Sequence, residues 1–344
     1  MNEHFLLKAD SIKEPTRHLG ATISKHLMDG DSHYTWAIGS KEYLIESLRV
    51  FKQKIEPLNL ILKSKVTSAL PSGYKPELDA TNYLDDETAI LYMQLIGILR
   101  WLVELGRIDI CVEVSMMSSY NCMLRVTHLY AVLHIFSYLQ ANLDWRLVMD
   151  SAYNEHLPEI EQRDWSEFYS FSKKSDPPDM PEALGLGVEL TMFVDASHAT
   201  NLVTRQSRTG VLIYVNKAPI KWFSKKQNSI ESGSFGSEFM ALKTGVELLE
   251  GLIYKLQIMG VPIEGYCHTC VDNMSVVNNT SVPESVLKKK SNSIAYHYVT
   301  SKCAEDILRI TYEITKTNLA DILTKVQLRA TKKAFRDKIV FPGD

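Results

Sequence analysis

The chain has 344 residues, 45% hydrophobic and 23% charged, with five cysteines and a formal net charge of -3. Such a balance excludes a disordered or fibrous chain and is long enough for two domains. Five cysteines make no disulfide framework, no apolar run reaches the roughly 18 residues that span a bilayer, and the start lacks the order of a signal peptide. The nearest apolar run, residues 89–103, is interrupted by Gln94 and Arg100. The expected setting is therefore intracellular, cytoplasmic or nuclear, not secreted, and without a membrane partner. The charge is uneven. From Gly187 onward there are 20 Lys and Arg against 15 Asp and Glu, leaving 18 against 26 upstream. A basic C-terminal half suits a phosphate backbone, although ordinary surfaces vary as much.

In chain order, helical spacing dominates first. Ser40 is placed to cap a helix carrying Tyr43, Leu44, Leu48, Phe51 and Ile55. Residues 87–105 set Leu91, Leu95, Ile98 and Leu102 on one stripe, and residues 108–118 and 127–142 continue the series. Between residues 171 and 187, Asp176-Pro177-Pro178-Asp179-Met180-Pro181 and two later glycines break every period, which predicts an extended linker. Beyond it the period shortens. Strands are expected at 188–194, 210–215 and 219–223, then a long helix at 234–259 and a strand at 266–271. A mixed helical stretch follows to about residue 303, then a strand at 308–315 and a final helix opening at 318–326. Three strands, a helix, a strand, helices, a strand and a helix form the element order of the ribonuclease H fold.

The long helix carries the most telling residue. Leu242, Val246, Leu249, Ile253 and Leu256 form its buried stripe, and Glu238 lies four residues before Leu242 on that same stripe. A carboxylate facing a sheet is costly unless paired or bound to metal, but one at a helix start is also favoured by the dipole. Asp195 follows Met192-Phe193-Val194 and Asp272 follows Val271, each near the end of a strand. Either could equally begin a turn or cap a helix. Asn318 as an N-cap would set Asp321 at the capping-box position, with Lys325 one turn on as a surface partner. Taken together, the carboxylates can converge on one point, where divalent cations relieve their repulsion. Two ions about 4 Å apart would then serve an in-line phosphoryl displacement.

At that point a family resemblance becomes specific. Phe193-Val194-Asp195-Ala196-Ser197-His198-Ala199 resembles the first acidic motif of Ty1/copia-type retrotransposon ribonuclease H domains. Arg205-Gln206-Ser207-Arg208-Thr209-Gly210, then Pro219-Ile220-Lys221-Trp222-Phe223-Ser224-Lys225-Lys226-Gln227, then Ser234-Phe235-Gly236-Ser237-Glu238-Phe239 follow in the family's order. Val271-Asp272-Asn273 and Asn318-Leu319-Ala320-Asp321-Ile322-Leu323-Thr324-Lys325 resemble its later motifs. Upstream, Leu19-Gly20-Ala21, Pro71-Ser72-Gly73-Tyr74-Lys75-Pro76-Glu77-Leu78-Asp79 and Leu95-Ile96-Gly97-Ile98-Leu99-Arg100-Trp101 are similar to the segment after the polymerase palm.

The resemblance implies an α/β fold: a five-stranded mixed ribonuclease H-like sheet flanked by helices over 188–340. Before it would come a linker at 171–187 and a mainly α-helical thumb and connection remnant of reverse transcriptase over 1–170, the palm lying before residue 1. It implies Asp195, Glu238, Asp272 and Asp321 as catalytic, metal-binding carboxylates for two Mg2+ ions, with Mn2+ as the substitute. The reaction it implies is endonucleolytic hydrolysis of RNA in an RNA–DNA hybrid. Arg205, Arg208, Lys225, Lys226, Lys288 and Lys289 would grip the nucleic acid, and full-length Pol is a further expected partner. The rivals are an inactive nucleic-acid-binding remnant, a nuclease of another kind on a related fold, and a chain left unstable by its missing palm.

Several features point elsewhere. Tyr83-Leu84-Asp85-Asp86 mimics a polymerase motif, yet an amphipathic helix follows where a strand hairpin is needed, so polymerase activity is not expected. Cys267-His268-Thr269-Cys270 offers half a zinc site with no second pair at suitable spacing. Trp222 lies mid-strand and reads as core, and His297 as a core or helix-surface histidine. Ser291 and Val271 depart from the family's usual His and Cys but remove no carboxylate.

Overall fold

The computed structural model describes residues 13–27, 34–155, 157, 159–172, 178–287 and 292–343. The upstream half opens with a sheet that helical spacing does not announce. Strands β1 (Arg17–His18), β2 (Ala21–Leu27) and β3 (Tyr34–Gly39) pair antiparallel in order, and β4 (Trp145–Met149) adds to β3. Thr22, Ser24 and Lys25 in β2, and the exposed Tyr34 and Trp36 in β3, leave little apolar alternation to read. Ala37 and Leu147 nevertheless sit fully inside.

Helices carry most of this half. Helix α1 (Lys41–Ile55) buries Leu44, Leu48, Phe51 and Ile55, the predicted stripe. Ser40 occupies its N-cap position, but its side chain makes no capping bond. In α2 (Asp86–Glu104), Leu91, Leu95, Leu99 and Leu102 turn inward, and Asp85 caps the start by accepting the Thr88 N–H at 2.8 Å. The Tyr-x-Asp-Asp look-alike is thus a helix start. Helices α3 (Cys111–Ser118) and α4 (Val126–Ala141) complete the bundle, and the short α5 (Ser166–Tyr169) precedes the expected linker, of which 173–177 lie outside the described residues.

The second sheet is built from β5 (Leu190–Ser197), β6 (Arg208–Val215), β7 (Ala218–Lys226), β8 (Cys267–Val271) and β9 (Leu308–Tyr312). Its spatial order is β7-β6-β5-β8-β9, with the first three antiparallel and the last two joined in parallel. The long helix α6 (Ser234–Ile258) crosses from β7 to β8, and α7 (Met274–Ser281) and α8 (Ser293–Ala304) connect β8 to β9. This is the strand order and polarity of the ribonuclease H fold.

Side chains alternate across a strand, and here both faces are covered. Met192, Val194, Val211 and Ile213 pack against Leu242, Val246 and Leu249 of α6. On the other face, Leu212, Tyr214, Phe193 and Trp222 join the core of the upstream helices. Trp222 is half-buried and donates its indole N–H to the Val103 carbonyl at 3.1 Å, a packing role as expected. The final helix differs from expectation. Residues 319–323 form only a short 3-10 turn (Leu319–Leu323), and α9 (Arg329–Arg336) is a separate helix. After it, β10 (Phe341–Pro342) returns to pair with β4, so the chain's end closes the first sheet.

Candidate metal centre

Three elements bring three of the predicted carboxylates together. Asp195 lies near the end of β5, Glu238 in the second turn of α6, and Asp272 directly after β8. One carboxylate oxygen from each lies within 4.8 Å of the other two. Among the described residues this is the one such cluster with metal-ligand donors. Asp195 and Glu238 are buried and Asp272 half-buried, so the centre opens to solvent on the Asp272 side.

Close packing sets this geometry. Helix α6 approaches β5 at Gly245, where a Cβ would lie 3.0 Å from Met192 Sδ and 3.1 Å from Val194 Cγ2. Strand β6 admits the 319–324 segment at Gly210, where a Cβ would lie 2.8 Å from the Ala320 carbonyl oxygen. Asn318 caps that segment: its side chain accepts the Ala320 N–H at 3.1 Å and donates to the Val194 carbonyl at 2.8 Å. The same segment thereby lies against β5 beside Asp195.

Polar neighbours orient each carboxylate. Thr324 donates its hydroxyl to Asp195, and Thr315 donates to Asp272 at 2.9 Å. The Ala196 backbone N–H bonds the Glu238 carboxylate. Asp321 stands outside the three-carboxylate cluster. It pairs with Lys325 Nζ at 2.5 Å and accepts a bond from the Gln327 amide. The Lys325 partner was foreseen from spacing; Thr324, Thr315 and Gln327 were not assigned roles, since a lone hydroxyl or amide carries no sequence signal.

Electrostatics reflect the crowding. Burial, then the charges of Asp272 and Asp321, push Asp195 up to about 7. Burial, then Asp195 and Asp272, push Glu238 up to about 10. Asp272 is likewise raised, by burial and by Asp321, against the opposing bond from Thr315. Burial opposes the charge on Lys325, but Asp321, Asp195 and Asp272 together hold it above its ordinary value. Three carboxyl groups this close cannot all ionise cheaply without a cation. An all-oxygen donor set suits a hard divalent cation such as Mg2+ or Mn2+.

The predicted backbone-gripping residues are placed as follows. Arg208 is buried and sits opposite Lys226 across the β6–β7 ladder. Lys225 is exposed beside Lys226, and both line a 580 Å³ groove against α2 and α3 with Arg100 and Lys221. Arg205 is exposed in a loop with a left-handed φ of 56°. Lys288 and Lys289, like Ser291, lie outside the described residues. Val271 packs in the core of the second sheet, and His297 accepts or donates at 2.7 Å to the Tyr169 hydroxyl. No helix of the described residues is long and apolar enough to cross a membrane.

No family model matches the chain. It is 25% identical over 285 residues to the retrovirus-related Pol polyprotein from transposon RE1 of Arabidopsis thaliana, covering 82% of this chain and 17% of that one. The corresponding polyprotein from Arabidopsis transposon RE2 is 23% identical, again over 82% of this chain and 17% of its own length. That from transposon TNT 1-94 of Nicotiana tabacum is 28% identical over 39% of this chain and 10% of its own. The chain thus spans about a sixth of the length of the Arabidopsis relatives. Among solved structures it is similar to LC11-RNase H1 in complex with RNA/DNA hybrid, with 17% identity and a TM-score of 0.32, covering 40% of this chain and 94% of that one. The foamy viral protease-reverse transcriptase in complex with RNA/DNA hybrid gives 15% identity and a TM-score of 0.28, over 58% of this chain and 26% of that one. Over four-fifths of its length, the chain is a homologue of the retrovirus-related Pol polyproteins of plant transposons.

Proposed function

We propose that this chain is a divalent-cation-dependent ribonuclease that hydrolyses the RNA strand of RNA–DNA hybrids endonucleolytically. The observation that carries the reading is the convergence of Asp195, Glu238 and Asp272 within 4.8 Å at the mouth of a ribonuclease H-like sheet. Homology to retrovirus-related Pol polyproteins supports the same reading.

Asp195, Glu238 and Asp272 would hold Mg2+, with Asp321 completing the set. Two such ions would supply Lewis-acid stabilisation of the attacking and leaving oxygens. The protein's own part is positional. Thr324 and Thr315 fix the rotamers of Asp195 and Asp272, so the donor oxygens face one point. The exposed Lys325 pairs with the buried Asp321 and tempers the negative field that would repel a phosphate backbone. Asp195 and Glu238 are buried, which keeps most water away from their side of the cluster. We propose residues 1–170 as the thumb and connection segment, 171–187 as the linker and 188–340 as the ribonuclease H domain. The packing of Phe335 and Ile339 into the upstream core makes the two parts mutually dependent.

The test is cleavage of hybrids labelled on either strand, with double-stranded DNA and single-stranded RNA as comparisons. RNA-strand cutting that needs Mg2+ and stops in EDTA is expected. Equal cutting of all substrates, or cutting in EDTA, would overturn the reading.

Packing at Gly210 gives a second expectation. Gly210→Ala forces its Cβ onto the Ala320 carbonyl, so the 319–324 segment must shift away from Asp195. Overpacking of this kind costs about 1–3 kcal/mol. Urea unfolding should show that loss, and hybrid cleavage should fall with it. Wild-type values for both would mean that the close approach does not position the site.

A further inference from the structure

The chain between the upstream helices and the second sheet is fastened along that sheet. The Tyr153 hydroxyl donates to the Gly187 carbonyl at 2.8 Å, and the Asn216 amide donates to the Ser151 carbonyl at 2.8 Å. Further on, Trp165 packs against the core of the second sheet, and Tyr169 is buried with its hydroxyl bonded to His297 of α8.

Between these anchors Ile160 is clasped by two side chains of the sheet. Its N–H donates to the Tyr266 hydroxyl at 3.2 Å, and its carbonyl accepts from Arg309 Nη1 at 2.7 Å. The clasp is closed by a cation–π contact, the Arg309 guanidinium carbon lying 4.0 Å from the centre of the Tyr266 ring. Asp306 fixes the same guanidinium from another side, accepting from Nε at 2.8 Å and from Nη2 at 3.0 Å.

These contacts sit at one end of two parallel strands whose other ends lead to the acidic cluster. Tyr266 directly precedes β8, and Asp272 directly follows it. Arg309 is the second residue of β9, and Thr315, shortly beyond that strand, donates to Asp272. Strand β9 lies at the edge of the sheet and pairs with β8. An edge strand held by one parallel ladder has few other contacts to fix its position along its neighbour.

We infer that Arg309, with Tyr266, is a positioning residue for the metal site: by clasping Ile160 it pins β9 against β8 and so keeps Thr315 on Asp272. The inference rests on the reading of the cluster as a divalent-cation site. The link is a continuous set of bonds, from Ile160 to Arg309, from the Glu313 N–H to the Val271 carbonyl at 2.8 Å, and from Thr315 to Asp272. The segment arriving from the upstream half thereby tunes the cation affinity of a centre at the far end of these strands.

The experiment is isothermal titration of the folded proteins with Mg2+, beside single-turnover cleavage of an RNA–DNA hybrid over a range of Mg2+ concentrations. Arg309→Gln is expected to bind Mg2+ about fivefold more weakly, less than the roughly 10- to 100-fold commanded by a group that touches a metal ligand. Its cleavage should slow at limiting Mg2+ and return to the wild-type rate at saturating Mg2+, with hybrid affinity in EDTA unchanged. Arg309→Lys can still reach the Ile160 carbonyl and should recover part of the loss. Tyr266→Phe deletes the acceptor of the Ile160 N–H but keeps the ring beneath the guanidinium, so it decides the matter if Arg309→Gln does not fold. It should weaken Mg2+ binding by about threefold. Wild-type Mg2+ affinity in the folded variants overturns the inference, even beside a loss of stability in urea, because the clasp then serves the fold alone. A wild type that binds Mg2+ but cuts no hybrid, with the variants weakened as expected, upholds the clasp and removes the ribonuclease reading. A wild type that binds no Mg2+ removes both.

Discussion

Asp195→Asn is expected to abolish hybrid cleavage and at the same time to stabilise the metal-free protein at neutral pH. Burial and the neighbouring carboxylates raise the folded-state pKa of Asp195 from 3.8 to about 7. Between those values the folded protein holds a proton that the unfolded chain has released. Stability therefore falls as pH rises through this window. Below pH 3.8 the group imposes no cost, and above about 7 the full cost is in place. Asparagine keeps the shape and an acceptor for the Thr324 hydroxyl, but carries no charge. The gain at pH 7.5 should be on the order of 1–3 kcal/mol, a few degrees in Tm for a chain of this size. Mg2+ should raise the Tm of the wild type and leave the variant nearly unchanged. Thermal melts in EDTA and in Mg2+, at pH 5 and 7.5, check this. A variant less stable than wild type in EDTA at pH 7.5 would mean that the cluster is not electrostatically strained.

Lys332→Met should destabilise the whole molecule by about 3–5 kcal/mol, because it strands a charge in the core. Glu113 on α3 is fully buried and pairs with Lys332 on α9, 219 residues away. Its other oxygen has no hydrogen-bond partner among the described residues. Removing the ammonium leaves the buried carboxylate without its ion-pair partner, with Arg208 acting on it only from a longer range. The double variant Glu113→Gln with Lys332→Met removes both charges and should recover most of the loss. Urea denaturation of the four proteins gives the coupling directly. A loss below about 1 kcal/mol for Lys332→Met would mean that water reaches Glu113 and that α9 is only loosely seated. A large loss has a functional consequence. Helix α9 follows the segment that bears Asp321 and Thr324, so loosening it should also slow cleavage.

How legible all this was depends on where the signal resides. Glu238 stood out because a carboxylate interrupts the apolar stripe of a long helix, and the structure buries that stripe as the spacing requires. The second sheet was readable because Gly and Pro mark its turns and its strands are apolar on both faces. The first sheet was not. Strands β2 and β3 carry Ser, Lys and His beside exposed Tyr34 and Trp36, and β4, which pairs with β3, and β10, which pairs with β4, are supplied from far along the chain. No local window contains that information. The final helix was misjudged for a related reason. Asn318 does cap, as expected, but its amide also bonds the Val194 carbonyl, and Gly210 draws the segment onto β6. Tertiary contact holds residues 319–323 in a tight turn where propensity alone suggested a longer helix.

The site shows the same division. The carboxylates could be named because their strand-end and helix positions recur in a motif order. The supporting residues could not. Thr315 and Thr324 are ordinary hydroxyls in sequence, and only the fold shows that they hold Asp272 and Asp321's neighbour Asp195 in place. Arg208 was expected among the cations that grip the nucleic acid, but nothing in its sequence position announced that it would be buried. Its burial beside Ser115 follows from α3 packing over β7, a contact between parts of the chain far apart in sequence.

We propose that the three converging carboxylates perform cation-dependent cleavage of a hybrid. The most direct test is the single-turnover rate of RNA-strand cleavage by wild type and by Asp272→Asn, in Mg2+ and at equal hybrid occupancy. Asp272 is the half-buried member of the cluster, so its amide variant should fold normally. Mg2+-dependent cutting by the wild type, lost in Asp272→Asn while hybrid binding persists, is the predicted result. Cutting that survives in the folded variant at the wild-type rate would place the chemistry elsewhere and contradict the account.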